Sequence, residues 1–179
     1  MNILAISTSG NICSVALLNN TNIILELNIN DSKTHSENLM PLIKDLFIKS
    51  NMKLSDIDLI GIDNGPGSFT GIRIGVSTVK GLAVPNNIPI VPISSLEALS
   101  YNFIQNRGYI CSLIDAKNSQ VYCGIFDSEN NLCTNYMADH INSIIPIINN
   151  YNNIIFVGDG VGVACNATRV EYYATPTNH

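Results

Sequence analysis

The sequence predicts an α/β protein of two tandem lobes, each a mixed β-β-β-α-β-α arrangement of one sheet with flanking helices. Three observations support this fold class. Short strand-like apolar segments open each half of the chain, helical patterns and further strands follow them, and the series restarts near residue 106. We therefore predict an N-terminal lobe at residues 1–105 and a C-terminal lobe at 106–179. The apolar fraction of 46% and the charged fraction of 13% exclude a disordered chain.

The first lobe begins with three short strands, because turn residues such as Ser9-Gly10-Asn11 separate its first apolar segments at hairpin spacing. Thr34 and Glu37 form the Thr-x-x-Glu pattern of a capping box, which predicts a helix that begins at His35. The predicted strands are residues 2–7, 12–18, 22–28, 58–63 and 88–93, and the predicted helices are 35–50, 70–84 and 94–103.

The second half repeats this order, with strands predicted at 109–116, 120–126, 132–137 and 154–158 and a helix at 140–149. Two copies of a β-β-β-α-β series are typical of the duplicated lobes of the actin, hexokinase and Hsp70 class. A doubly wound fold would alternate strands and helices from its start. No amphipathic period follows Gly160, so we expect the second lobe to be incomplete or altered after about residue 160.

Charge and cysteine content narrow the classes of function. A net charge of −5 without a long Lys/Arg cluster argues against strong nucleic-acid binding by this chain alone, so contact with RNA would need a partner. Five cysteines without a Cys-x-x-Cys pattern indicate reduced, mostly buried thiols. No basic and apolar leader or membrane-length segment is present in the sequence, and we expect a cytoplasmic protein.

A glycine-rich turn between a predicted strand and a predicted helix has the shape of an anion-binding corner, because free backbone N–H groups point outward there. It lacks the Gly-Lys-Ser/Thr of a P-loop, and Pro66 and Phe69 interrupt a dinucleotide fingerprint. Two interpretations stay open, a tight structural turn and a nucleotide or anion corner. The residues of the second interpretation are Thr8, Ser9, Gly65, Gly67 and Ser68.

The helices on either side of this turn carry features of an interface. Gly71, Gly75 and Gly81 each weaken a helix by about 1 kcal/mol relative to alanine, and close approach of another helix, internal or in a partner, would offset that cost. The helix at 35–50 is apolar over more than the face that one sheet covers, so part of it is expected to meet a partner. The alternative is a helix wedged deeply between elements of its own chain.

Residues for catalysis are scarce. His35, Ser36 and Glu37 are adjacent on one helix and point in different directions, so they cannot form a triad, and capping explains them better. Asp115 and Asp159 end strands, where a carboxylate binds a metal or a ribose or only caps a turn. We predict no catalytic residue and no metal site in this chain.

The run from Asn64 to Leu82 resembles the hallmark of the TsaB (YeaZ) family, dimerisation subunits of bacterial tRNA threonylcarbamoyladenosine (t6A) synthesis. The resemblance extends to about Gly160. The further segments that carry it are Ile3 to Ile6 with Thr8-Ser9, His35 to Leu39, Pro92 to Ala98, Asp115-Ala116 and Val121-Tyr122.

The resemblance implies an actin-like (ASKHA) two-lobed fold and a non-catalytic scaffold. Such a subunit supports threonylcarbamoyl transfer to N6 of the adenosine 3′ of the anticodon, in tRNAs that read ANN codons. The implied partners are a TsaD-like catalytic paralogue and a TsaE-like ATPase, with a homodimer when the chain is alone and tRNA contacted only through the complex. ATP and a metal are expected only in that complex. The alternatives are a peptidase-like (glycoprotease-type) enzyme and a stand-alone nucleotide-binding protein.

Two departures from related patterns bear on activity. Ser95 and Leu99 stand where the catalytic paralogue is expected to carry His-x-x-x-His, and Ser7 replaces the aspartate that usually ends the family's first strand. The two first-lobe helices are then expected to form the partner-binding face. Its predicted residues are His35, Leu39, Met40, Ile43, Phe47, Thr70, Ile72, Arg73 and Val76.

Overall fold

In the computed structural model the described residues are 1–31, 34–103 and 108–168, without the side chains of 166–168. The chain divides into two units, Met1–Ser94 and Ser95–His179. The sequence-based boundary at 105/106 lies later, because the helix that begins at Ser95 packs against strands of the second unit.

The first unit contains a five-stranded mixed sheet whose strands are β1 (Asn2–Ser7), β2 (Cys13–Asn19), β3 (Asn22–Ile29), β4 (Leu59–Asp63) and β5 (Ile90–Ile93). The strand order is β3-β2-β1-β4-β5. The first three strands form an antiparallel meander, and β4 and β5 add in parallel to β1. Two helices, α1 (His35–Ser50) and α2 (Phe69–Ala83), pack on the sheet and bury an aliphatic core against it.

The second unit repeats this topology. Its sheet has the order β8-β7-β6-β9, which matches β3-β2-β1-β4 strand for strand. The core lies between this sheet and its helices, and the pairing of β6 with β9 is parallel like that of β1 with β4. Its elements are α3 (Ser95–Tyr101), β6 (Tyr109–Lys117), β7 (Gln120–Phe126), β8 (Met137–His140), α4 (Ile141–Ile148), β9 (Ile154–Val157) and α5 (Val161–Thr168).

One prediction for the second half was wrong, and a helix forms where the sequence shows no clear pattern. The strand predicted at 132–137 is absent; Leu132 forms an isolated bridge with Phe126, and β8 begins only at Met137. After Gly160, where the sequence shows no amphipathic period and the second lobe is expected to be incomplete or altered, the chain forms α5, because Val161 and Ala164 are buried against the second core. The remainder of that prediction, for residues 169–179, lies outside the described residues. No helix in the described ranges combines the length and apolarity needed to cross a membrane.

Candidate partner-binding face

Helix α1 begins and ends where its sequence signals place the boundaries. The backbone N–H of Thr34 donates to the Glu37 carboxylate at 3.0 Å, which is one half of the predicted capping box. Asn51 ends the helix in the left-handed conformation with φ 54°. One side of α1 packs on β2, β3 and α2, and the other side faces outward.

The predicted interface residues divide into two groups, those on the inward side of the helices and those on the outward side. Leu39 and Ile43 are only 1% and 2% exposed, so they belong to the core of the first unit and present almost no surface to a partner. The structure therefore shifts the candidate face to the remaining predicted residues. Met40, Thr70 and Arg73 are exposed, and His35, Phe47, Ile72 and Val76 are half-buried.

The N-terminal end of this face is polar. The His35 side chain contacts the Gly10 carbonyl oxygen through Nε2 at 2.9 Å, which ties the start of α1 to the β1–β2 loop. The Arg73 guanidinium lies 3.7 Å from the centroid of the Phe69 ring, and Phe69 is 68% exposed. Phe69 was missed by sequence reasoning, although its spacing of four residues from Arg73 on one helix was a usable signal.

The C-terminal end is apolar and concave. A groove of about 920 Å³, which we call the α1 groove, opens between the last turns of α1, the segment after it and Leu82 of α2. Ile43 forms part of the groove wall although its side chain is almost fully buried. Lys44 and Lys53 are the positively charged residues of the lining. The lining residues are Met40, Pro41, Ile43, Lys44, Phe47, Ile48, Asn51, Met52, Lys53, Leu54 and Leu82.

The glycine-rich turn is closed by its own carboxylate. Asp63, at the end of β4, accepts hydrogen bonds from the Ser7 hydroxyl at 2.8 Å, from the Ser9 hydroxyl and from the Gly65 N–H at 3.0 Å. Sequence analysis did not single out Asp63 as a residue of this turn. In the parallel pairing of β1 with β4, Ile6 lies opposite Ile62, so the next residues, Ser7 and Asp63, lie side by side.

Ser68 also has partners within the chain. The Ser68 N–H donates to the Ser9 carbonyl oxygen at 2.6 Å, and the Ser68 hydroxyl accepts from the Gly71 N–H at 3.2 Å as the helix cap. A phosphate at this corner would lie beside the Asp63 carboxylate, and the N–H groups of Gly65 and Ser68 already donate within the chain. Of the two interpretations, these contacts favour the structural turn, and the nucleotide or anion corner stays a prediction.

The helix glycines have an internal cause. A Cβ on Gly71 would overlap the Thr8 carbonyl oxygen, and one on Gly75 would overlap the Thr8 hydroxyl, so both glycines allow α2 to approach the end of β1. Gly81 is exposed with no atom near the position of its Cβ. Of the two alternatives, an internal contact and a partner contact, Gly71 and Gly75 make the internal one, although the neighbour is the end of β1 and not another helix.

The carboxylates of the second unit cap turns. Asp159 accepts the Asp115 N–H at 3.0 Å, and Asp115 accepts the side-chain ammonium of Lys117 at 2.8 Å and its N–H at 2.7 Å. These hydrogen bonds, the ammonium first, lower the pKa of Asp115 below its usual value, and the same pairing raises the pKa of Lys117.

The segment expected to match the metal site of the catalytic paralogue is built differently. Ser95 begins α3 and is buried, and Leu99 packs against an apolar cluster that contains Leu96 and Ile110. Within ranges 1–31, 34–103 and 108–168 no three His, Cys, Asp or Glu side chains come together as a metal site would require.

Two β-β-β-α-β-α units of the same strand order define an actin-like two-lobed α/β protein. The solved structure of (R)-2-hydroxyglutaryl-CoA dehydratase component A from Acidaminococcus fermentans shares this fold at a TM-score of 0.55. That comparison covers 98% of this chain and 92% of that one at 11% identity. YeaZ from Pseudomonas aeruginosa is much more similar, with a TM-score of 0.81, 27% identity, and coverage of 97% of this chain and 82% of its own.

Sequence comparison agrees with the structural one. The family model of TsaD, described as tRNA N6-adenosine threonylcarbamoyltransferase, matches residues 29–170. The tRNA threonylcarbamoyladenosine biosynthesis protein TsaB of Bacillus subtilis is 39% identical over 139 residues, which are 78% of this chain and 61% of that protein. The protein of the same name from Buchnera aphidicola subsp. Schizaphis graminum is 33% identical over 81% of this chain and 69% of its own length.

The chain belongs to the TsaB (YeaZ) family, which is related to the TsaD family. It spans only about 60% of the length of the Bacillus subtilis relative. The Escherichia coli relative, 32% identical, is covered over 57% of its length.

Proposed function

We propose that this chain is a non-catalytic docking subunit of the t6A machinery. It binds a TsaD-like catalytic paralogue and thereby supports threonylcarbamoyl transfer to N6 of the adenosine 3′ of the anticodon in tRNAs that read ANN codons. The observation that carries the proposal is the partly exposed apolar side of α1 with the α1 groove, including Met40 at 48% and Ile48 at 65% exposure. A surface of this kind is typical of a protein interface.

The site chemistry supports a role without catalysis. Hydroxyl and isobutyl groups at Ser95 and Leu99 cannot ligate a metal as two imidazoles do. The Asp63 carboxylate in the glycine-rich turn opposes a nucleotide phosphate. We therefore assign ATP and the metal to the complex and not to this chain alone.

The charge of the chain bears on how it meets tRNA. At a net charge of −5, the chain meets tRNA only through the positive surface of its partners. A TsaE-like ATPase joins the same complex. Without the paralogue, a second copy of the chain occupies the α1–α2 face and forms a two-fold homodimer.

The decisive experiment is co-expression with the TsaD-like paralogue of the same genome. We expect a complex in native mass spectrometry and t6A in tRNA only when both chains are present. Nucleoside mass spectrometry of tRNA from a strain that lacks the native gene measures the modification. A complex that forms while t6A stays absent would contradict the functional half of the proposal, and the absence of any complex would contradict both halves.

Two controls test the alternatives. Calorimetry with ATP, on the chain alone and with the paralogue, separates a nucleotide-binding protein from a docking subunit, and we expect heat only with both chains. A casein-cleavage assay with metal analysis tests peptidase-like activity, since one solved Pseudomonas aeruginosa protein, 28% identical to this chain, is described as similar to peptidase YEAZ. Cleavage by the isolated chain would overturn the non-catalytic assignment.

A further inference from the structure

β1 and β4 end in a hydroxyl and a carboxylate that contact each other. β1 ends at Ser7, and β4, its parallel neighbour, ends at Asp63. The Ser7 hydroxyl donates to Asp63 Oδ2 at 2.8 Å. Neighbouring residues of paired strands point to the same face of a sheet, so a carboxylate on either strand would reach the same place at the end of the two strands.

The residues at these two positions depart from the family pattern in a compensated way. The first strand of TsaB-family proteins usually ends in aspartate, whereas β1 of this chain ends in Ser7. A carboxylate is nevertheless present beside Ser7, because Asp63 supplies it from β4. The two positions are 56 residues apart in the chain, so only the pairing of the strands brings them together.

Asp63 also ties the β1–β2 loop, residues 8–12, to the glycine-rich turn. Its Oδ2 accepts the Ser9 hydroxyl, and its Oδ1 accepts the Gly65 N–H at 3.0 Å. Hydrogen bonds to a carboxylate are stronger than those between neutral groups. The Ser9 carbonyl oxygen is held as well, because it accepts the Ser68 N–H at 2.6 Å. One side chain thus connects the ends of two strands with the loop that follows each of them.

The β1–β2 loop in turn contacts the start of α1. Gly10 directly follows Ser9, and its carbonyl oxygen lies 2.9 Å from Nε2 of His35. A carbonyl oxygen only accepts hydrogen bonds, so Nε2 carries the hydrogen in this contact and a neutral His35 is held in the Nε2–H tautomer. The position of the Gly10 carbonyl depends on Ser9, which Asp63 holds.

We propose that Asp63 is the positioning residue of the β1–β2 loop and that it replaces, from β4, the carboxylate usually carried at the end of β1. It acts through Ser9 to place the Gly10 carbonyl oxygen against His35. This inference goes beyond the proposed docking function, and its test needs no paralogue.

The experiment moves the carboxylate from β4 to β1 in the full chain. Asp63→Ala should lower the melting temperature by about 5 °C or more, because several donors lose a charged acceptor. Ser7→Asp/Asp63→Ala restores a carboxylate at the same place and should recover at least about half of that loss. Ser7→Asn/Asp63→Ala is the matched control, since it adds a side chain of similar size without the charge, and it should recover less. Thermal melting followed by circular dichroism measures all three.

The single variant Ser7→Asp tests whether the two positions share one place. Its two carboxylates would lie together and repel each other, and protonation of one of them relieves the repulsion. We therefore expect this variant to lose more stability relative to wild type at about pH 8 than at about pH 4. An equal loss at both pH values would contradict a shared place.

NMR of the His35 ring separates positioning from stability. At alkaline pH, long-range ¹H–¹⁵N spectra should show the Nε2–H tautomer in wild type and in Ser7→Asp/Asp63→Ala, and a mixture of tautomers in Asp63→Ala. His140 is the internal reference, because its Nδ1 accepts the Asn142 N–H in the second unit.

Three results overturn the proposal: a relocated carboxylate that recovers no stability, an asparagine control that recovers as much, or a His35 tautomer that is unchanged in Asp63→Ala. If Asp63→Ala does not fold, Ser7→Asp/Asp63→Ala must still fold with the wild-type tautomer, and its failure overturns the proposal as well. The proposed docking function is tested separately, by binding of the paralogue.

Discussion

Thr8 and Gly71 hold the end of β1 against the first turn of α2. The Thr8 hydroxyl donates to the Gly71 carbonyl oxygen at 2.7 Å, and Thr8 is fully buried. The Thr8 carbonyl oxygen occupies the space that a Cβ on Gly71 would need. The glycine-rich motif therefore connects a strand to a helix within the first unit, and Gly71 is needed for packing inside this chain.

Replacement of Gly71 and Gly81 by alanine should separate the effect of packing on stability from the effect of helix propensity. Gly71→Ala should destabilise the protein by about 2 kcal/mol or more, because the new methyl group overlaps backbone that cannot move freely. Gly81→Ala should stabilise it by up to about 1 kcal/mol, since helix propensity acts there without a clash. Urea denaturation followed by circular dichroism measures both. Equal effects of the two substitutions on the free energy of unfolding would contradict the view that Gly71 is needed for the contact with Thr8.

The order of elements in the first unit was predictable because local signals and packing agree. The capping box at Thr34 and the apolar stripe of α1 place that helix correctly, even though Pro41 lies within it. Alternating burial in β1 and β2 matches the alternation of their side chains. The repeated series of strands and helices predicted the two units, whereas the order of the strands within each sheet is known only from the structure.

The features that the sequence did not reveal depend on tertiary contacts. α5 has a weak apolar pattern, and small residues such as Ala164 form its buried side, so no periodicity revealed it. The burial of Leu39 and Ile43 could not be read from an apolar stripe alone, since core and interface residues share the same chemistry. The role of Asp63 depends on the register of two strands that are distant in sequence.

The cysteines should divide into two reactivity classes. Cys13, Cys111 and Cys123 are buried, and burial raises the pKa of Cys13 and of Cys111, where the nearby Cys123 adds to the effect. Cys133 is exposed and Cys165 is half-buried. We expect Ellman's reagent at mildly alkaline pH to modify only those two in the native protein, with the fast phase lost in Cys133→Ser. Modification of a third described thiol without denaturant would contradict this division.

The Asp115–Lys117 pair gives a prediction for pH. Because the folded-state pKa of Asp115 is lowered, the pair stabilises the fold fully above the unfolded-state pKa of an aspartate. That contribution is lost as the pH falls through the lowered folded-state value. Lys117→Met should raise the pKa of Asp115 toward its usual value, measured by NMR titration of the side-chain carboxyl carbon. Lys49→Met is the control, and an unchanged Asp115 titration in Lys117→Met would exclude the ammonium as the cause.

A charge on the exposed side of α1 should weaken docking without loss of the fold. Met40→Glu places a carboxylate at a residue that is 48% exposed and lines the α1 groove, so we expect binding of the TsaD-like paralogue to weaken by about 2 kcal/mol or more. Ile24→Glu is the matched control at 45% exposure, since Leu25 and Leu27 of β3 point to the core and Ile24 does not. Calorimetric titration measures both variants.

Ile43→Glu makes the distinction between core and surface explicit. Ile43 lies in the groove wall but is only 2% exposed, so an unpaired charge there should unfold the first unit instead of giving a folded, docking-deficient chain. Met40→Glu should keep the wild-type melting temperature to within a few degrees while it loses the paralogue. A carboxylate that becomes buried in an apolar interface loses its hydration, and this desolvation weakens binding. If Met40→Glu and Ile24→Glu bind the paralogue equally well, the α1 groove is therefore not the docking surface.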